Sequence, residues 1–213
     1  MQPCIKAILL QYTLADESLA VRKVKLNEGI SFNQAQPVMG FIGAGNYASR
    51  ILIPAFKEAG AQFHTLATAG GINSIVHGEK AGFAEASTDT AEMLTNPEIN
   101  TVAIVTRHDS HARFVAQALE AGKHVFVEKQ LAIDFGGLEQ VEIAYKAAHH
   151  VGNGPQLMVG FNRRFSPQVQ KMKALLEPVK EPKSFFMTMN AGATPADHWR
   201  GLSLHRPDAL PGR

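Results

Sequence analysis

Cysteine is nearly absent from this sequence: Cys4 is the only one in 213 residues. An internal disulfide is therefore excluded, and the usage fits a reducing compartment such as the cytoplasm. Neither charge sign is in excess. The formal net charge is +2 and no block of lysines and arginines occurs, which argues against a nucleic-acid or membrane-surface partner. No apolar run reaches the length needed to cross a bilayer. The opening residues, MQPCIKAILLQYTLADESLAVRKVKL, lack a basic head, a long apolar middle and a small-residue cleavage site, so they do not read as a secretory signal. What remains is 45% hydrophobic and 19% charged, the balance of an ordinary soluble globular protein. The length suffices for one full α/β domain and part of a second.

Residues 1–37 read as a weakly structured leader or linker ending at Pro37, with one short strand-like run, IKAILLQY. From Val38 the pattern becomes regular. The runs VMGFI, QFHTLAT, TVAIV, HVFV and QLMVGF have buried-strand length and no polar alternation. Helical patterns stand between them. Ile51, Leu52, Ala55, Phe56 and Ala59 recur at helical spacing up to Gly60, with Pro54 expected to bend the helix or restrict its first turn. INSIVHGEKAG ends at Gly82, and TDTAEMLTNPEI is capped by Thr88 or Asp89. SHARFVAQALEAG presents Phe114, Val115, Ala118 and Leu119 on one side, and DFGGLEQVEIAYKAAHH starts from an Asp134 cap. Short apolar strands alternating with helices predict an α/β fold, a doubly wound parallel sheet over residues 38–160. Such a sheet binds its ligand at the carboxyl ends of its strands.

The first strand ends in Gly43-Ala44-Gly45-Asn46-Tyr47-Ala48, a G-x-G-x-x-A. The first glycine permits a tight turn, the second lets the backbone approach a pyrophosphate, and the small third residue lets the helix pack close to the strand. The helix N-terminus that follows offers unpaired N–H groups to phosphates. About 20 residues further on, an acid should hold the ribose hydroxyls of NAD. The sequence there is Thr68-Ala69-Gly70-Gly71, with neither an acid nor an arginine. The choice between NAD and NADP is therefore open.

The third strand is followed by Thr106, Arg107, His108, Asp109, Ser110 and His111. Two histidines are too few for a zinc site, and no third ligand is placed to complete one, so the cluster reads as a polar helix start facing a cofactor and no metal is expected. Glu128 and Lys129 end the fourth strand. They are either exposed loop charges or, since burying an ammonium is costly, functional groups at the cleft. A lysine there can exchange a proton with a substrate hydroxyl. Arg163 and Arg164, after the fifth strand, are surface charges or suit phosphate and sugar-hydroxyl contacts. Ser166-Pro167 then opens a further helix, QVQKMKALL.

Taken together, GFIGAGNYA, TNPEINTVAIVTRHDSHA, ALEAGKHVFVEKQLA and GFNRRFSP resemble, in order and spacing, the Gfo/Idh/MocA family of oxidoreductases. NAGATPADHW, Asn190 to Trp199, is similar to members acting on polysaccharide building blocks, and KAILLQY resembles the end of a zinc-alcohol-dehydrogenase-like module fused ahead of some relatives. The resemblance implies an NAD(P)-dependent oxidoreductase acting on a sugar, sugar nucleotide or cyclitol. It places Lys129 on the family's proton-carrying lysine and Thr106 and His111 beside the nicotinamide half. The family's Glu-Lys-Pro is Glu-Lys-Gln here, Gln130 replacing the ring that helps set the loop.

The family continues into a second domain that covers the cleft, mediates oligomer contacts and supplies an Asp or His to work with the lysine. Residues 161–213 read as the truncated start of that domain, one helix and one strand, KSFFMTMN. The final RGLSLHRPDALPGR matches nothing expected and is what a frame shift or a gene fragment would leave. The competing expectation is thus a nucleotide-binding remnant that holds cofactor without turnover, and a third is a scaffold that uses the fold for interaction alone.

Overall fold

Each of the five apolar runs becomes a parallel strand; the central ones are covered by helices on both faces, while the edge strand of the last run leaves Met158 exposed. The computed structural model describes residues 21–184 other than 151 and 153, together with residue 186. The run IKAILLQY, most of KSFFMTMN, the stretch NAGATPADHW and the final tail lie outside the described residues.

Among the described residues seven strands form one sheet: β1 (Lys23–Lys25), β2 (Val38–Ile42), β3 (Gln62–Ala67), β4 (Glu85–Ser87), β5 (Thr101–Ile104), β6 (His124–Glu128) and β7 (Leu157–Gly160). Their spatial order is β1-β4-β3-β2-β5-β6-β7. All neighbours are parallel except β1, which runs antiparallel to β4. From β2 the chain goes to β3 on one side and later to β5 on the other, so the connections diverge at β2 and open a crevice at its carboxyl end.

The helices are α1 (Ile53–Glu58), α2 (Ile72–Ala81), α3 (Thr90–Thr95), α4 (His111–Glu120), α5 (Phe135–Ala148) and α6 (Pro167–Leu176). One sheet face carries Ile42, Val102, Ile104, Val125 and Val127 against Phe114, Val115, Leu119 and Val141 of α4 and α5. The other carries Met39, Phe41, Phe63 and Ala103 against Ile53 and Phe83. Phe41 meets Phe56, Phe63 and Phe83 edge-on at 5.7–5.8 Å, the arrangement that aromatic quadrupoles favour. Asp89, not Thr88, caps α3, its side chain accepting the Glu92 N–H at 3.0 Å. Asp134 and Ser166 cap α5 and α6 as expected.

Pro54 does more than bend its helix. The turn before it, Ala48–Leu52, widens into a π-helical turn in which the Ile53 N–H reaches the Ala48 carbonyl. Proline crowds the carbonyl four residues back and donates nothing, and a wider turn relieves that crowding.

The leader reading needs correction over its described part. Residues 23–25 form β1, the Leu26 N–H bonds to the Ala84 carbonyl at 2.8 Å, and Leu26 packs against Gly78. Asn33 and Gln62 exchange two hydrogen bonds of 2.9 Å, and the Phe32 ring stacks on His64 at 4.9 Å. Among the described residues no helix is long and apolar enough to cross a membrane.

Candidate functional site

At the end of β2 the chain turns on Gly43, whose φ is +105°. A Cβ there would stand 2.8 Å from the Val105 carbonyl oxygen, so the fold itself demands glycine at this point. Gly45 is different. Nothing lies within 4 Å of the position its Cβ would take, and the glycine borders a cavity of about 810 Å³. Among the described residues no contact calls for a missing side chain at Gly45. Ala48, the small third residue, is buried as the pattern requires.

The cavity lies where β2, β3 and β5 end. It gathers Gly43, Gly45, Thr68, Thr106, Arg107 and His108 from the sequence reading. Thr68 Oγ1 accepts the Gly71 N–H at 3.2 Å, and Thr106 Oγ1 shares a hydrogen with Ser110 Oγ at 2.7 Å. Arg107 faces Asp109 at 4.0 Å. Burial pushes the His108 imidazole below its usual range, and the charges of His111 and Lys129 add to the push while Asp109 opposes it.

Other candidates stand elsewhere. Asn46 faces a separate groove with Arg50, Lys57 and Lys80, so only its backbone belongs to the helix start. The Tyr47 hydroxyl accepts a hydrogen bond from Asn162 Nδ2, joining the glycine loop to the turn after β7. His111, expected beside the nicotinamide, is fully buried. Its Nδ1 lies 2.6 Å from the Gln130 carbonyl oxygen and its Nε2 3.1 Å from that of Thr106. Both ring nitrogens are thus engaged by backbone carbonyls in this structure. The side chain ties the loop after β5 to the loop after β6. Among the described residues no group of three or more His, Cys, Asp or Glu is set to hold a metal.

Glu128 and Lys129 are half-buried where β6 ends. Burial raises the Glu128 carboxyl above its usual range, while the Lys129 charge and backbone N–H and the more distant His111 oppose the rise. Glu128 Oε1 is buried and has no hydrogen-bond partner among the described residues. Gly160, its neighbour on β7, makes room for it: a Cβ there would stand 2.8 Å from that oxygen. The Lys129–Gln130 peptide is cis. Arg163 and Arg164 are exposed in the turn Asn162–Phe165 and do not line the cavity. Conversely, Asn73, Thr88, Thr90, Arg113 and Phe114 line it without having been read as site residues. Their signal in the sequence was position alone, at or near the start of helices that follow cleft strands.

A doubly wound sheet with a glycine-lined cavity at its switch point defines a dinucleotide-binding Rossmann domain. Residues 38–161 match the family model GFO_IDH_MocA, an oxidoreductase family with an NAD-binding Rossmann fold. The chain belongs to that family. It is 34% identical over 119 residues to scyllo-inositol 2-dehydrogenase (NAD(+)) of Bacillus subtilis, covering 54% of this chain and 33% of that protein. It is 30% identical over 99 residues to myo-inositol 2-dehydrogenase of Thermotoga maritima, covering 46% and 28%. The matched stretch is thus about a third of the length of these curated relatives. The 3-ketoreductase KijD10 of Actinomadura kijaniata, solved with TDP-benzene and NADP, shares the fold at a TM-score of 0.59 and 23% identity, over 67% of this chain and 44% of that one.

Proposed function

We propose that the protein is an NAD(P)-dependent oxidoreductase acting on a sugar, sugar nucleotide or cyclitol, with residues 38–160 holding the dinucleotide and residues from 161 onward opening the substrate-binding part. The observation that carries the reading is Gly45, a glycine with empty space where its side chain would be, at the mouth of a cavity beside the helix start. The glycine-loop backbone and the first N–H groups of the helix from Asn46 would hold the pyrophosphate, with Thr68 at the ribose end and Thr106 toward the nicotinamide. When bound, the nicotinamide supplies the hydride acceptor or donor. Lys129 handles the proton: as a neutral amine it takes the hydroxyl proton when the alcohol is oxidised, and as an ammonium it returns it when the carbonyl is reduced. Its place after β6, next in the sheet to β5, and its electrostatic influence on the cavity-lining His108 support that role. The inositol dehydrogenases among the relatives support the sugar-like substrate class.

The test is titration of the purified protein with NADH and NADPH, followed by nicotinamide fluorescence, on the natural sequence and on Gly45→Val. The natural protein should bind at least one of them. The variant should lose roughly tenfold or more in affinity, since the backbone can no longer approach the phosphates. Absence of binding by a folded natural protein would overturn the reading.

A further inference from the structure

The adenosine end of the cavity departs from the pattern its glycines set. In such sites an acid after the second parallel strand takes the ribose hydroxyls of NAD and repels a 2′-phosphate. Here β3 runs into Thr68-Ala69-Gly70-Gly71, and the Thr68 hydroxyl is turned back onto its own loop. Among the described residues lining the cavity, Asp109 is the only acid, and it faces Arg107. Asn73, Thr88 and Thr90 are neutral hydrogen-bonding groups. The α4 side of the cavity carries a cation instead. Arg113, in the first turn of α4, lines the cavity together with the buried Phe114. Its guanidinium carbon lies 4.0 Å from the centroid of the Phe114 ring. Among the described residues no carboxylate pairs with Arg113 within 4.0 Å.

A guanidinium stacked on a ring has its plane fixed while its edge N–H donors stay free. The flat face suits a purine, and the donors suit a phosphate, which arginine can grip with two parallel hydrogen bonds. We propose that Arg113 is the cofactor-selecting residue of this chain, and that it makes the cavity prefer the 2′-phosphorylated dinucleotide, NADPH over NADH. The missing acid removes the repulsion, and Arg113 supplies the attraction from a different element of the fold. This inference rests on the reading of the cavity as a dinucleotide site.

The experiment compares dissociation constants of NADPH and NADH for the natural protein, Arg113→Gln and Arg113→Lys. Displacement by 2′,5′-ADP against 5′-AMP isolates the adenosine end. NADPH should bind about tenfold more tightly than NADH to the natural protein, the scale of one charge-assisted phosphate contact. Arg113→Gln should bring that ratio to about one, and Arg113→Lys should keep part of it, because a point charge survives without the stacked fork. Equal affinities in the natural protein, or a ratio that Arg113→Gln leaves unmoved, would overturn the proposal while leaving the dinucleotide site intact. Failure of both dinucleotides to bind is a separate result, which would remove the site itself.

Discussion

At the end of β2 the chain turns on Gly43 with its polar groups satisfied: the Gly43 N–H reaches the Ala67 carbonyl at 2.8 Å, and the Val105 N–H reaches that of Ile42 at 2.9 Å. At the end of β6 it turns on Glu128 and Lys129, both half-buried, with Glu128 Oε1 lacking a hydrogen-bond partner among the described residues. The first region is made of backbone and small residues held by the sheet. The second holds two ionisable side chains, and burial disfavours the charged form of Glu128. A binding cradle needs a fixed backbone and no side chains: the sheet holds Gly43 in place, while the helix start that follows keeps N–H groups for a ligand. A proton carrier must exist in two protonation states, and a site that satisfied one of them completely would oppose the other.

The comparison breaks most visibly within the first region. Gly43→Val forces a side chain into a left-handed backbone and against the Val105 carbonyl. It should cost about 4 kcal/mol of folding stability, summing backbone strain and overpacking. Gly45→Val should leave stability within about 0.5 kcal/mol, as at an open surface position, and remove cofactor affinity. Urea unfolding of the two variants side by side checks this, and equal losses of stability would end the distinction between the two glycines.

In the second region Lys129→Met should leave NADH and NADPH affinity in place and slow turnover of a sugar or cyclitol substrate by roughly 100-fold, the scale of a lost proton-transfer group. An undiminished rate would show that the proton travels by another route.

The smallest effect concerns Glu128. Its folded-state value is raised, so the folded protein binds more protons than the unfolded chain between the usual carboxylate value and the raised one. Its contribution is full below the usual value and declines as pH rises through that interval. Glu128→Gln carries no such decline. Relative to the natural protein it should gain stability as pH is raised from about 4 toward neutral. Parallel pH profiles of the two urea midpoints would contradict the assignment.

Much of this was legible in the sequence, for an identifiable reason. β2, β3, β5, β6 and β7 are short apolar runs closed by glycine, polar or charged residues, and their alternation with helical patterns identifies them as strands. β1 and β4 escaped because they are three residues each and carry Lys23, Lys25 and Glu85. Their pairing draws on charges brought together only by folding, such as Lys23 with Glu92 at 2.6 Å and with Glu85 at 3.4 Å. The glycine loop was readable because its backbone demands are local. The two carbonyls that His111 meets were not legible, because a polar residue at a helix start looks the same whether it faces a ligand or its own backbone. Arg113 was invisible because its stacking on Phe114 and its view of the cavity depend on α4 lying beside β5.

β1 also decides what can happen at one rim of the molecule. Without it, β4 would present a row of open N–H and C=O groups, a template on which a strand from another chain could add. With it, the outermost strand is only three residues long, and two of those are exposed lysines. A short, charged strand offers little length for pairing and repels a like-charged copy of itself. Among the described residues, then, the sheet ends on this side in a strand poorly suited to pairing with another chain.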